Sequence, residues 1–176
     1  MSTDNPFLIG EERGVSPQIS GLIGMLRYAR KTTHDTVAGL SVEDLDYLHD
    51  PESNSIGSLL HHIAAVEAWY QANTFDRREW TPTEVARWQV AADLGPRART
   101  QIREHPLDYY VARLAEVRSR TEGELRAHDD DWLAESGPWF DYTVNNYWKW
   151  FHVCEDEINH RGQIRWLCKR LPGVRQ

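Results

Sequence analysis

The apolar positions of this chain recur at three and four residues rather than at two, in four long runs separated by proline, glycine and acidic breaks. The first run follows Ser16-Pro17, which supplies an N-cap and a proline at the first helical position. Ile19, Leu22, Ile23, Leu26, Ala29 and Val37 carry its stripe, and Gly39 is its stop. A short charged element around Val42 to Leu45 comes next, then Asp50-Pro51 and the capping cluster Ser53-Asn54-Ser55. These open a second helix on Ile56, Leu59, Leu60, Ile63, Val66 and Tyr70, ending near Asn73. Between Asp76 and Glu104 the periodicity fades, and Pro82, Gly95 and Pro96 leave room only for a short helix around Thr83 to Ala92. A third long helix spans roughly Pro106 to Ala127 on Leu107, Tyr110, Val111, Leu114, Val117, Thr121 and Leu125, and the acidic turn Asp129-Asp130-Asp131 after it reads as solvated. Beyond Gly137-Pro138 a fourth helix runs from about Thr143 to Arg170, stopped by Pro172-Gly173.

With no strand-like alternation, repeat or low-complexity tract, this pattern predicts an all-α four-helix bundle with one long connection between helices two and three. The 176 residues fit a single domain, 1–176, with residues 1–14 as a loose N-terminal arm. A chain of this size buries roughly 70% of its unfolded surface, so folding does not require a metal or a disulfide. Charge alters the picture of partners: 20 Lys plus Arg against 27 Asp plus Glu gives a net charge of −7. That argues against nucleic acid and anionic membrane surfaces and leaves small molecules or proteins. No stretch approaches the ~20 apolar residues of a membrane helix. Met1 to Gly14 carries Asp4, Glu11 and Glu12 where a signal peptide would be basic and then apolar, so the expected location is cytoplasmic. Cys154 and Cys168 lie too far apart along one helix to pair, and are expected as reduced thiols, Cys154 in a packing role.

Bundle interiors are apolar, so polar residues on an inward stripe point to chemistry. Helix four has the seam Val153, Ile164, Leu167 and Leu171. At about 100° per residue His160 falls in its middle, Asp156 about 40° to one side and Glu157 about 60° to the other. His152, Asp156 and His160 form a line at i, i+4, i+8, and a carboxylate four residues before a histidine brings two metal-ligand groups to one point. A third ligand has to come from another helix. On helix two, His62 borders the apolar face between Leu59 and Val66, whereas His61 points nearly opposite, among Ser58, Ala64 and Ala65. His62, Asp156 and His160 make a two-histidine, one-carboxylate set with open positions, as in catalytic rather than structural zinc sites. A seam histidine is also commonly a plain hydrogen-bonded core residue, and spacing alone does not separate the two. A di-iron bundle needs Glu-x-x-His on two helices, and Glu157 to His160 is the one such element in the chain.

At these residues the chain resembles the DinB and YfiT-like superfamily of metalloenzymes. The last long helix of that superfamily carries a His-x-x-x-His/Glu-x-x-x-His line, often followed by Arg-Gly-Gln; here it reads His152, Asp156, His160 and Arg161-Gly162-Gln163. The segment Asn54 to Trp69 is similar to the superfamily's helix-two block, whose ligand histidine aligns with His62. The resemblance implies an up-down-down-up four-helix bundle, a divalent metal held by three side chains between helices two and four, and frequently a homodimer. Relatives include mycothiol-dependent maleylpyruvate isomerases and bacillithiol transferases. Asp156 departs from the usual His or Glu, and its shorter reach leaves Glu157 as a competing ligand.

The function this implies is a metal-dependent enzyme that transfers a low-molecular-weight thiol to a small electrophile, or uses the thiol to isomerise it. Zinc is the favoured metal, with nickel, manganese and iron(II) as alternatives. His152, Glu155 and Glu157 are expected behind the ligands, fixing their orientation, with Glu67 a weaker candidate. Trp69 is expected to wall a pocket, and Trp150 and Trp166 to be core. Two other readings stay open: a hydrolase on a metal-bound hydroxide with Glu155 or Glu157 as proton acceptor, and a non-enzymatic metal-binding or stress-response module.

Overall fold

The computed structural model describes residues 5–10 and 12–173. Four long helices dominate it: α1 (Pro17–Val37), α3 (Ile56–Thr74), α6 (Leu107–Arg126) and α8 (Asn146–Cys168). Shorter ones are α2 (Val42–Asp46), α4 (Pro82–Asp93), α5 (Gly95–Gln101) and α7 (Asp130–Ala134). The all-α expectation holds. No helix among the described residues is long and apolar enough to cross a membrane. Helix α1 packs on α6 and α8, and α3 on the same two, so the long helices meet in a ring.

Local chemistry sets the ends. Ser41 and Asp44 form a reciprocal capping box on α2, Thr81 and Glu84 another on α4, and Ser55 accepts from the Ser58 N–H at the start of α3. Gly39, at φ +79°, takes the left-handed turn that follows α1. Helix α3 also meets α2 and α4 and is buried on most of its circumference, including Ser58, Ala64 and Ala65. Two apolar clusters result. One gathers the N-terminal part of α3, α4, α5, the start of α6 and the end of α8; the other gathers α1, Tyr70, Leu125, α7 and the start of α8.

Several expectations need correction. The segment before α8 is a β-hairpin, β1 (Ser136–Trp139) paired antiparallel with β2 (Tyr142–Asn145), so α8 starts three residues later than the apolar pattern suggests. Four-residue strands are too short to show alternation, which is why the pattern missed them. Gly95-Pro96 does not end structure but begins α5, because a proline in the first turn gives up an N–H that has no helical partner. The acidic turn is not merely solvated. Asp129 caps α7, and Asp130 reaches back to accept from Ser16 Oγ and from the N–H groups of Gln18 and Ile19, capping α1 where Ser16 itself does not. Trp166 is 44% exposed rather than core, against His49 and under the Arg170 guanidinium. The arm is tied down where it is described: Phe7 meets the Tyr28 ring edge, and Glu12 pairs with Arg27 and Arg126. Its residues 1–4 and 11 lie outside the described residues.

Candidate metal centre

Where α3 packs against α8, His62 meets Asp156 and His160. Nε2 of His62 is 3.8 Å and Nε2 of His160 3.4 Å from Oδ1 of Asp156, and the two imidazole centroids are 4.6 Å apart. One ligand atom from each residue lies within 4.8 Å of the others. Bonds of about 2.0–2.1 Å to a tetrahedral zinc separate ligand atoms by about 3.4 Å, so small ring rotations would close the set on one ion. The donor chemistry fits too. Nδ1 of His62 is 2.9 Å from the carbonyl oxygen of Ala91. Nδ1–H donates a hydrogen bond to that carbonyl, so Nε2, on the side of Asp156, is the metal-binding atom when the ring is neutral. Oδ2 of Asp156 and Nδ1 of His160 are buried with no partner among the described residues, so the carboxylate has a lone pair to spare and the His160 ring lacks the outer anchor that His62 has.

The electrostatics follow from burial and proximity. Burial alone would lower the His62 pKa, but the Asp156 carboxylate, helped by hydrogen bonds to the backbone of Ala91 and Ala92, outweighs it and holds the ring above its usual value. Burial pushes Asp156 upward, and His160 and His62 together overcome it and hold the carboxyl well below its usual range. His61 lies on the other side of α3, edge-on to Trp88, Tyr109 and Tyr110. Burial, helped by Arg113, His105 and Arg87, lowers its pKa to about 4, so it is a neutral core residue near pH 7.

The other sequence candidates separate. His152 has Nδ1 3.2 Å from Glu155 Oε2 and stacks on Trp148 at 5.3 Å, one turn before Asp156. Glu157 is turned into the interior and held by Arg30 and Arg118, so its carboxylate is engaged there rather than beside Asp156; Glu67 pairs with the same arginines. Burial raises the Cys154 thiol to about 11, in keeping with a packing role.

A cavity of about 550 Å³ opens beside the cluster, with His62, Asp156 and His152 in its lining. Trp69 does wall it, joined by Tyr70, Trp80, Trp139 and Trp148. Glu79 and Gln89 add polar groups, and no lysine or arginine among the described residues lines it. Trp139 stacks on Tyr70 and meets the edge of Trp69, so the hairpin supplies a wall that helical periodicity could not reveal.

The family model described as mycothiol-S-transferase matches residues 21–173. The chain belongs to the mycothiol-S-transferase family. That match takes in both motif blocks and the described hairpin. A solved structure, described as a conserved protein from Enterococcus faecalis, superposes with a TM-score of 0.68 over 86% of this chain and 95% of that one. At 16% identity it shows the fold alone. No curated protein matches the sequence.

Proposed function

We propose that this family member is a divalent-metal-dependent enzyme that transfers a thiol of the mycothiol kind to a small electrophile, or uses it to isomerise one. The observation that carries this reading is the His62–Asp156–His160 cluster, whose His62 and Asp156 line an aromatic cavity, in a chain of a thiol-transferase family. His62, Asp156 and His160 would hold the metal, with zinc the best match to the donors. Such an ion, when bound, lowers the pKa of a thiol and favours the nucleophilic thiolate.

The chain's own residues do the rest. The Ala91 carbonyl fixes the His62 tautomer, and Asp156 supplies the one negative charge of the ligand set. The indoles exclude water and offer flat faces to a sugar or an aromatic group. His152, braced by Glu155, can accept the thiol proton and return one to the product. Because no lysine or arginine among the described residues lines the cavity, carboxylate- or phosphate-bearing thiols find no counter-charge from them there, whereas an uncharged sugar-linked thiol needs none. The up-down-down-up helix order belongs to the same reading. So does a homodimer, for which the exposed Phe151, Ile158 and Trp166 on α8 offer an apolar stripe.

The test is calorimetric titration of zinc-loaded protein with mycothiol, glutathione and coenzyme A, followed by transfer to monochlorobimane. Mycothiol should bind at least about tenfold tighter than either charged thiol. Equal affinities, or transfer that does not depend on the metal, would contradict the reading.

A further inference from the structure

Between the two apolar clusters each long helix contributes one member of a buried charge quartet: Arg30 from α1, Glu67 from α3, Arg118 from α6 and Glu157 from α8. Arg30 Nε is 2.8 Å from Glu157 Oε1 and its Nη2 2.9 Å from Glu67 Oε2. Arg118 Nε is 2.7 Å from Glu67 Oε1 and its Nη2 2.9 Å from Glu157 Oε2. Two further contacts are reciprocal. Arg30 Nη1 donates to the carbonyl of Leu114, four residues before Arg118, and Arg118 Nη1 donates to the carbonyl of Leu26, four residues before Arg30. None of the quartet's side-chain atoms is among the buried atoms without a partner.

Stability alone does not account for such a cluster. Taking ions out of water costs several kcal/mol each, and well-packed apolar side chains in their place are often as stable or more so. Directional bidentate bonds supply something an apolar contact does not: they resist rotation and sliding of one helix against another. The two helices that carry the candidate ligands are both held in this way. Asp156 immediately precedes Glu157 and His160 follows three later, while His62 is five residues before Glu67. A carboxylate about 5–6 Å from a helix axis moves by about 2 Å when the helix turns by roughly 20°. Metal–ligand distances tolerate about ±0.2 Å.

We infer that the Arg30–Glu67–Arg118–Glu157 quartet is the positioning device of the metal centre, fixing the rotation of α8 and α3 so that Asp156 and His160 meet His62. The inference rests on the metal-centre reading above. Its test is zinc affinity, by competition with a chromophoric chelator at 25 °C, for the wild type, Arg30→Lys, and the paired variant Arg30→Met/Glu157→Leu, which removes one charge of each sign. Far below the melting temperature a loss of global stability leaves the bound fraction unchanged, so the dissociation constant reports positioning. The paired variant should keep its helical circular dichroism and bind zinc at least about tenfold more weakly. Arg30→Lys, which keeps the charge but loses the planar fork, should fall between and remains informative if the paired variant does not fold. Wild-type affinity in any folded variant overturns the positioning role and leaves the metal centre standing. A wild type that binds no zinc overturns the metal centre itself and the positioning role with it.

Discussion

Asp156 governs the proposed centre because it is the charge that both histidines face. In metal-free protein it is the largest influence raising the His62 pKa against the pull of burial, so removing the charge lowers that pKa. Asp156→Asn, nearly isosteric, should therefore lower the midpoint of the His62 titration followed by NMR. An unchanged midpoint would show that the two side chains do not interact as described. Zinc needs neutral imidazoles, so in the wild type its affinity should climb as pH rises from 6 to 8. At this scale much was legible in the sequence. Spacing on one helix and a bordering position on another single out His62, Asp156 and His160, because a helix converts sequence interval directly into direction. Glu157 was harder. Its partners Arg30 and Arg118 lie on other helices, and the one local signal was that each sits on an apolar stripe, beside Ala29 and Val117.

The elements show where periodicity informs and where it is silent. Helices α1, α3, α6 and α8 were readable because each presents several turns of apolar repeat to a neighbour. The β1–β2 hairpin was not, because its four-residue strands carry too few positions to establish a period, yet it supplies Trp139 to the cavity. Asp130 capping α1 from more than a hundred residues away is a tertiary contact with no local signature. Close packing also limits what an element tolerates. A Cβ at Gly57, in the first turn of α3, would sit 2.6 Å from the Tyr110 hydroxyl of α6. Gly57→Ala should cost about 1–3 kcal/mol of overpacking, read as a lower midpoint in urea unfolding. Pairing it with Tyr110→Phe, which removes a buried hydroxyl with no partner among the described residues, should recover part of the loss.

Across the whole molecule, the quartet and the metal centre lie one residue apart on α8, and they fail in different ways. Burial opposes ionisation of Glu157, but Arg30 and Arg118 overcome it and lower its pKa to about 2, against 4.5 for the free group. The group therefore binds fewer protons folded than unfolded. Its contribution to stability is complete above about pH 4.5 and is lost as pH falls toward about 2. Urea midpoints measured across that window should decline steeply. Glu157→Leu, which leaves two buried guanidinium groups facing one carboxylate, should lose about 3–5 kcal/mol at neutral pH. The metal centre answers to a more direct experiment: metal content per chain by elemental mass spectrometry on untagged protein, with His160→Ala as the paired control. Close to one equivalent of a divalent metal is expected in the wild type and almost none in the variant. A wild type that is metal-free as purified and takes up no added zinc, nickel or manganese would contradict it.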